Sequence, residues 1–135
     1  MGLLGGLAEG RQRKLAEFLA DGHLAAGESI EASLPMMQTH VGTFAGYYGL
    51  ALTPERVLLV EWGRTIPERP KQLADAQPRD QVAVKEHKRG LLMGSLVLTK
   101  GGEEWIGLKV PRLHRDDAAA VVGALMGAEI GSAPR

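Results

Sequence analysis

The last third of the chain limits the possible folds most. Two short strand patterns, Leu91 to Thr99 and Glu104 to Val110, flank a Lys100-Gly101-Gly102 turn, and after Pro111 the hydrophobic period changes. Ala118, Val121, Val122, Leu125 and Met126 then recur at spacings of three and four, with Asp116 and Asp117 in the first turn, where a helix dipole favours negative charge. A hairpin that feeds one terminal amphipathic helix predicts a small β-barrel or strongly bent sheet whose open end the helix plugs. Burial of the large side chains, at roughly 1.5 to 3 kcal/mol each, gives that helix a structural role first.

Upstream, the pattern is of further strands behind one helix. Leu15, Phe18 and Leu19, with Leu7 and Arg11 in earlier turns, predict an amphipathic helix over Glu9 to Asp21 that stops at Gly22. Its polar face mixes Arg11, Arg13, Lys14 and Glu17. From Glu28 onward Ile30, Ala32, Leu34 and Met36 alternate with polar residues, a strand with one dry face, and Pro35 places that strand at an edge or marks a bulge near its end. Gln38 to Ala45 reads as a loop.

Tyr47 to Thr53 and Val57 to Trp62 form a hairpin around Thr53-Pro54-Glu55-Arg56, because Pro54 presets the first central dihedral of the turn. The uninterrupted run Val57-Leu58-Leu59-Val60 predicts cover on both faces. After a polar loop from Gly63 to Arg69, Gln72 to Ala76 is a faint strand and Gln81 to His87 a clearer one, with Val82 and Val84 inward. In the following hairpin Ile106, Leu108 and Val110 fall on one side, Trp105 and Lys109 on the other.

A length of 135 residues suits one domain. The absence of cysteine excludes disulfides, thiolate metal sites and cysteine nucleophiles. Sixteen basic and sixteen acidic residues cancel, which argues against a general nucleic-acid binder. The charges are uneven, however: Glu28, Glu31 and Glu55 occupy residues 28 to 55 without Lys or Arg, and residues 56 to 100 are predominantly basic, an asymmetry able to pair copies head to tail. No apolar run reaches the roughly 18 residues that span a bilayer. The apolar start through Leu7 has neither the flanks of a secretion signal nor the Ser or Thr of a myristoylation site.

The lead-in Leu24-Ala25-Ala26-Gly27-Glu28, the hairpin Gly49-Leu50-Ala51-Leu52-Thr53-Pro54-Glu55-Arg56-Val57-Leu58-Leu59, the hairpin from Gly94 to Val110 and the closing helix together resemble the bacterial pleckstrin-homology-like domains. The resemblance covers residues 24 to 128. It implies a mostly β fold with α: a bent antiparallel barrel of about seven strands closed by a C-terminal helix. Here the amphipathic segment 1 to 23 precedes it and a flexible tail, 129 to 135, follows. It implies a binding or assembly platform and not an enzyme. Eukaryotic members hold phosphoinositides with cations between their first two strands, but Met37 to Gly46 contains His40 and no Lys or Arg, so that specificity is not expected. For the bacterial relatives the resemblance implies self-association or unassigned roles.

Residue chemistry agrees with a non-catalytic reading. His23, His40, His87 and His114 lack ligand spacing and read as scattered surface or turn residues, so no metal is assigned. Glu103-Glu104 and Asp116-Asp117 are not arranged as an acid and base pair, no serine lies in a nucleophile elbow, and no phosphate-binding glycine loop is present. Neither catalytic residues, cofactor nor small-molecule substrate is expected.

The candidate contact residues are Tyr47, Trp62 and Trp105, with the basic groups Arg64, Arg69, Lys71 and Lys85, Lys88, Arg89. An outward aromatic anchors a protein partner or packs under the N-terminal helix; the sequence leaves both open. The cations keep strand edges soluble or, at one rim, meet anionic lipid. The expectation is a cytoplasmic module for a protein partner or another copy of itself. The alternative is a peripheral membrane module using Leu3, Leu4, Leu7 and the basic loops.

Overall fold

The computed structural model describes residues 3–65 and 67–130. Helix α1 (Leu3–Ala20) precedes strands β1 (Ala32–Gly42), β2 (Tyr47–Leu52), β3 (Arg56–Gly63), β4 (Arg69–Pro78), β5 (Val82–Lys88), β6 (Met93–Lys100) and β7 (Glu103–Pro111), and helix α2 (Arg115–Ile130) ends the order. Short 3-10 turns lie at Arg79–Gln81 and Arg112–His114. The strands form one antiparallel seven-stranded sheet in the order β4-β3-β2-β1-β7-β6-β5.

The sheet curls but does not close. Trp105 on β7 donates from Nε1 to Asp75 Oδ2 on β4 at 2.9 Å, although three strands separate β7 from β4 in the sheet order. Only strong curvature brings those strands together. Among the described residues no ladder joins edge strands β4 and β5, so the expected barrel is an open, bent sheet.

Curvature comes from β1, which pairs with β2 through its first half and with β7 through its second. Its register shifts between Leu34 and Met37, around Pro35, and again between Thr39 and Val41. The bulge expected from Pro35 is therefore present, in a central strand and not at an edge. It also reassigns the faces: Leu34 and Met37 enter the core, whereas Met36 packs on the opposite side. The predicted loop from Gln38 is in fact strand as far as Gly42.

Two hydrophobic clusters lie on opposite faces of the sheet. The concave face gathers Leu34, Leu50, Leu59, Leu96, Leu98, Ile106 and Leu108 around Ala118, Val121, Val122 and Leu125 of α2. Met126, expected in this plug, is exposed. On the convex face Leu15 and Leu19 of α1 cover Ala51, Leu58, Val60 and Trp62. The Val57–Val60 run is thus covered on both sides, as its unbroken apolarity required. Because α2 continues to Ile130, residues 129 and 130 belong to a helix and not to a tail; the rest of the expected tail, 131–135, lies outside the described residues.

Candidate functional site

Two polar clusters fix the ends of the sheet. In the first, Glu28 lies in the segment between α1 and β1 with a side chain only 1% exposed, where an unpaired carboxylate would be costly. Arg56 reaches it with Nε, 2.9 Å from Oε2, and with Nη2 on Oε1, and Nη2 also donates to the His23 carbonyl at 2.9 Å. Thr53 Oγ1 donates to Oε2 at 2.6 Å and the Ala25 amide to Oε1 at 2.8 Å. These donors, Arg56 foremost, outweigh burial and hold the Glu28 carboxyl at about 2. Arg79 adds a second tie, with Glu31 Oε1 at 2.7 Å and the Ala124 carbonyl of α2 at 2.9 Å. Glu28 and Glu31 are therefore partnered within the same chain by Arg56 and Arg79 of the basic middle segment.

In the second cluster Arg11 of α1 donates from Nη2 to Glu68 Oε2 at 2.9 Å and from Nη1 to His114 Nε2 at 3.0 Å. Arginine cannot accept, so the imidazole accepts at Nε2 and its proton lies on Nδ1, which faces Asp117 Oδ2 at 2.9 Å. Gln12 Nε2 donates to Asp117 Oδ1 at 2.8 Å and to the Ser33 carbonyl at 3.2 Å. His114 closes the 3-10 turn Arg112–His114 but is fully buried and not at the surface. This cluster latches α1 onto the start of α2, and its one hint in the sequence is the three-residue spacing of His114 and Asp117.

Among the described residues the most exposed large apolar side chains are at the β5–β6 loop. Leu91 is 79% exposed, Leu92 74% and Met93 52%, three consecutive apolar side chains turned to water. The expected strand from Leu91 in fact begins at Met93. The loop is held from below: Arg115 Nη2 donates to the carbonyls of Gly90 at 3.2 Å and Leu91 at 3.1 Å, and the Arg112 amide to that of Leu92 at 3.1 Å. Gly90 permits the tight path, since a Cβ there would lie 1.8 Å from the Met93 carbonyl oxygen.

Exposed cations surround the tip. Lys88 and Arg89 precede it, Lys109 stands on the outer face beside Met93, and Arg112 follows β7. Among the described residues Lys88 meets Glu86 at 3.6 Å on the surface. His87 is held below its ordinary value by burial and then by Arg89. Next to Met93 runs a groove of about 240 Å³ lined by Arg11, Met36, Gln38, Tyr47, Lys109 and Pro111, smaller than a typical small-molecule pocket.

The candidate contact residues divide among these places. Trp62 is 3% and Trp105 2% exposed, so neither offers a surface to a partner. Trp62 lies under α1, one of the two fates its position allowed. Trp105 is the extra residue of a bulge between Glu104 and Ile106, which turns it into the core beside Ile106 and not to the opposite face. Tyr47 is half-buried with the Arg64 guanidinium 4.6 Å from its ring centroid. Lys71 approaches Glu61 at 4.0 Å and Lys85 meets Glu104 at 3.1 Å. Arg69 lines a shallow trough along α1 with Lys14 and Phe18. Lys88 and Arg89 remain with the exposed tip, while the side chains of Leu3 and Leu4 lie outside those described.

Among the described residues no helix is long and apolar enough to cross a membrane, and no group of three or more metal-ligating side chains gathers. Compared with models of known protein families and with curated proteins, the chain matches none.

Proposed function

We propose that the chain is a non-catalytic docking module of the bacterial pleckstrin-homology-like kind, and that it docks through the end of the sheet carrying Arg89 to Met93. The antiparallel meander, its strong curvature and the terminal helix packed into its concave face support the kinship. The β1–β2 loop, Thr43-Phe44-Ala45-Gly46, has no cation, so phosphoinositide specificity by that route has no support. Within each adjacent carboxylate pair one member is engaged structurally, Asp117 with His114 and Gln12, and Glu104 with Lys85.

One observation carries the docking reading. Leu91, Leu92 and Met93 stay in water while the backbone beneath them is tied down, an arrangement that stabilises nothing within the chain. A photo-crosslinking residue at position 92, in the full chain in its native cell, tests it, with position 103 at the opposite hairpin as control. Adducts from 92 and none from 103 are expected. Equal yields, or none from either, would overturn the reading.

A further inference from the structure

We infer that the surface at Arg89–Met93 docks onto an anionic lipid bilayer, with Leu91 and Leu92 entering the interface and the surrounding cations meeting the headgroups. The inference rests on the docking reading above and names its partner.

Three features favour a bilayer. Leu91 and Leu92 are adjacent and largely exposed in the β5–β6 loop, as insertion beneath a headgroup layer requires. The carbonyls of Gly90, Leu91 and Leu92 already accept hydrogen bonds from Arg115 and Arg112, so this backbone enters a water-poor layer with those acceptors satisfied. Cations stand on both flanks, Lys88 and Arg89 at the end of β5, Lys109 and Arg112 at the end of β7. An apolar tip collared by positive charge matches the polarity of an anionic membrane surface, hydrocarbon within and phosphate without. The acids on these segments are Glu86, beside Lys88, and Asp116 and Asp117 at the start of α2; Asp117 is held by His114 and Gln12.

The test is sedimentation of the full chain with phosphatidylcholine vesicles prepared with and without phosphatidylserine. Binding is expected only with phosphatidylserine, and high salt weakens it. The pair Leu91→Ser and Leu92→Ser is expected to weaken binding at least tenfold. The pair Lys88→Gln and Arg89→Gln weakens it by about fivefold for each cation removed. Unchanged melting temperatures establish that both variants fold. Absence of binding to anionic vesicles, equal binding to neutral ones, or binding that survives the leucine pair would overturn the inference. Adducts to protein alone from position 92, with no vesicle binding, discard the bilayer and leave the docking reading intact.

Discussion

Arg56 grips Glu28 with two nitrogens across 28 positions of sequence, and so fastens the segment leaving α1 to the turn between β2 and β3. The pair has a consequence in acid. The Glu28 carboxyl titrates at about 2 in the folded chain against an ordinary 4.5, so the unfolded chain binds more protons between those values and stability falls as pH drops through that window. The contribution, on the order of 3 kcal/mol, is present in full above pH ~5 and lost by pH ~2. Denaturation of Glu28→Gln should show a lower midpoint at pH 7 and a flatter acid limb than the unaltered chain. Parallel limbs would contradict this assignment.

Gly49 lies beneath the Trp62 indole on the convex face. A Cβ at that position meets Trp62 Nε1 at 2.8 Å, the Leu34 carbonyl oxygen at 3.3 Å and Leu15 Cδ2 at 3.4 Å. Gly49→Ala should therefore force the indole and α1 outward and cost about 1 to 3 kcal/mol in chemical denaturation, with a red shift of tryptophan emission. A neutral substitution would mean that α1 does not press on this strand.

Removing Asp75 leaves the buried Trp105 N–H without its acceptor. Asp75→Ala should cost about 1 to 3 kcal/mol. The readout is the urea midpoint at constant slope, which separates a lost bond from a changed unfolded state.

Leu15→Ala and Leu91→Ala remove the same atoms from opposite environments. Leu15, fully buried between α1 and β3, should cost about 2 to 5 kcal/mol, and Leu91 no more than about 0.5 kcal/mol. A large loss at Leu91 would mean that the tip contributes to the fold and is not reserved for docking.

Local chemistry made several of these features legible in the sequence. Pro54 and the flanking alternation were enough for the β2–β3 hairpin, Pro35 for a bulge, and Val57 to Val60 for a strand covered on both faces. What escaped depended on single-residue slips or on distance. One extra residue at the Glu104–Ile106 bulge reverses Trp105, and a strand that begins two positions late leaves Leu91 and Leu92 in solvent. Arg11 and His114 meet across 103 positions, a separation no periodicity reports.

Because the chain contains no cysteine, one introduced thiol can be labelled uniquely. An environment-sensitive fluorophore at Leu92→Cys, with Glu103→Cys as the distant control, reports directly whether this end of the sheet becomes covered when the protein is mixed with native membranes and extract. A blue shift at position 92 with none at 103 is the result expected. A probe at 92 that stays as wet as the control would contradict the assignment of this surface to docking.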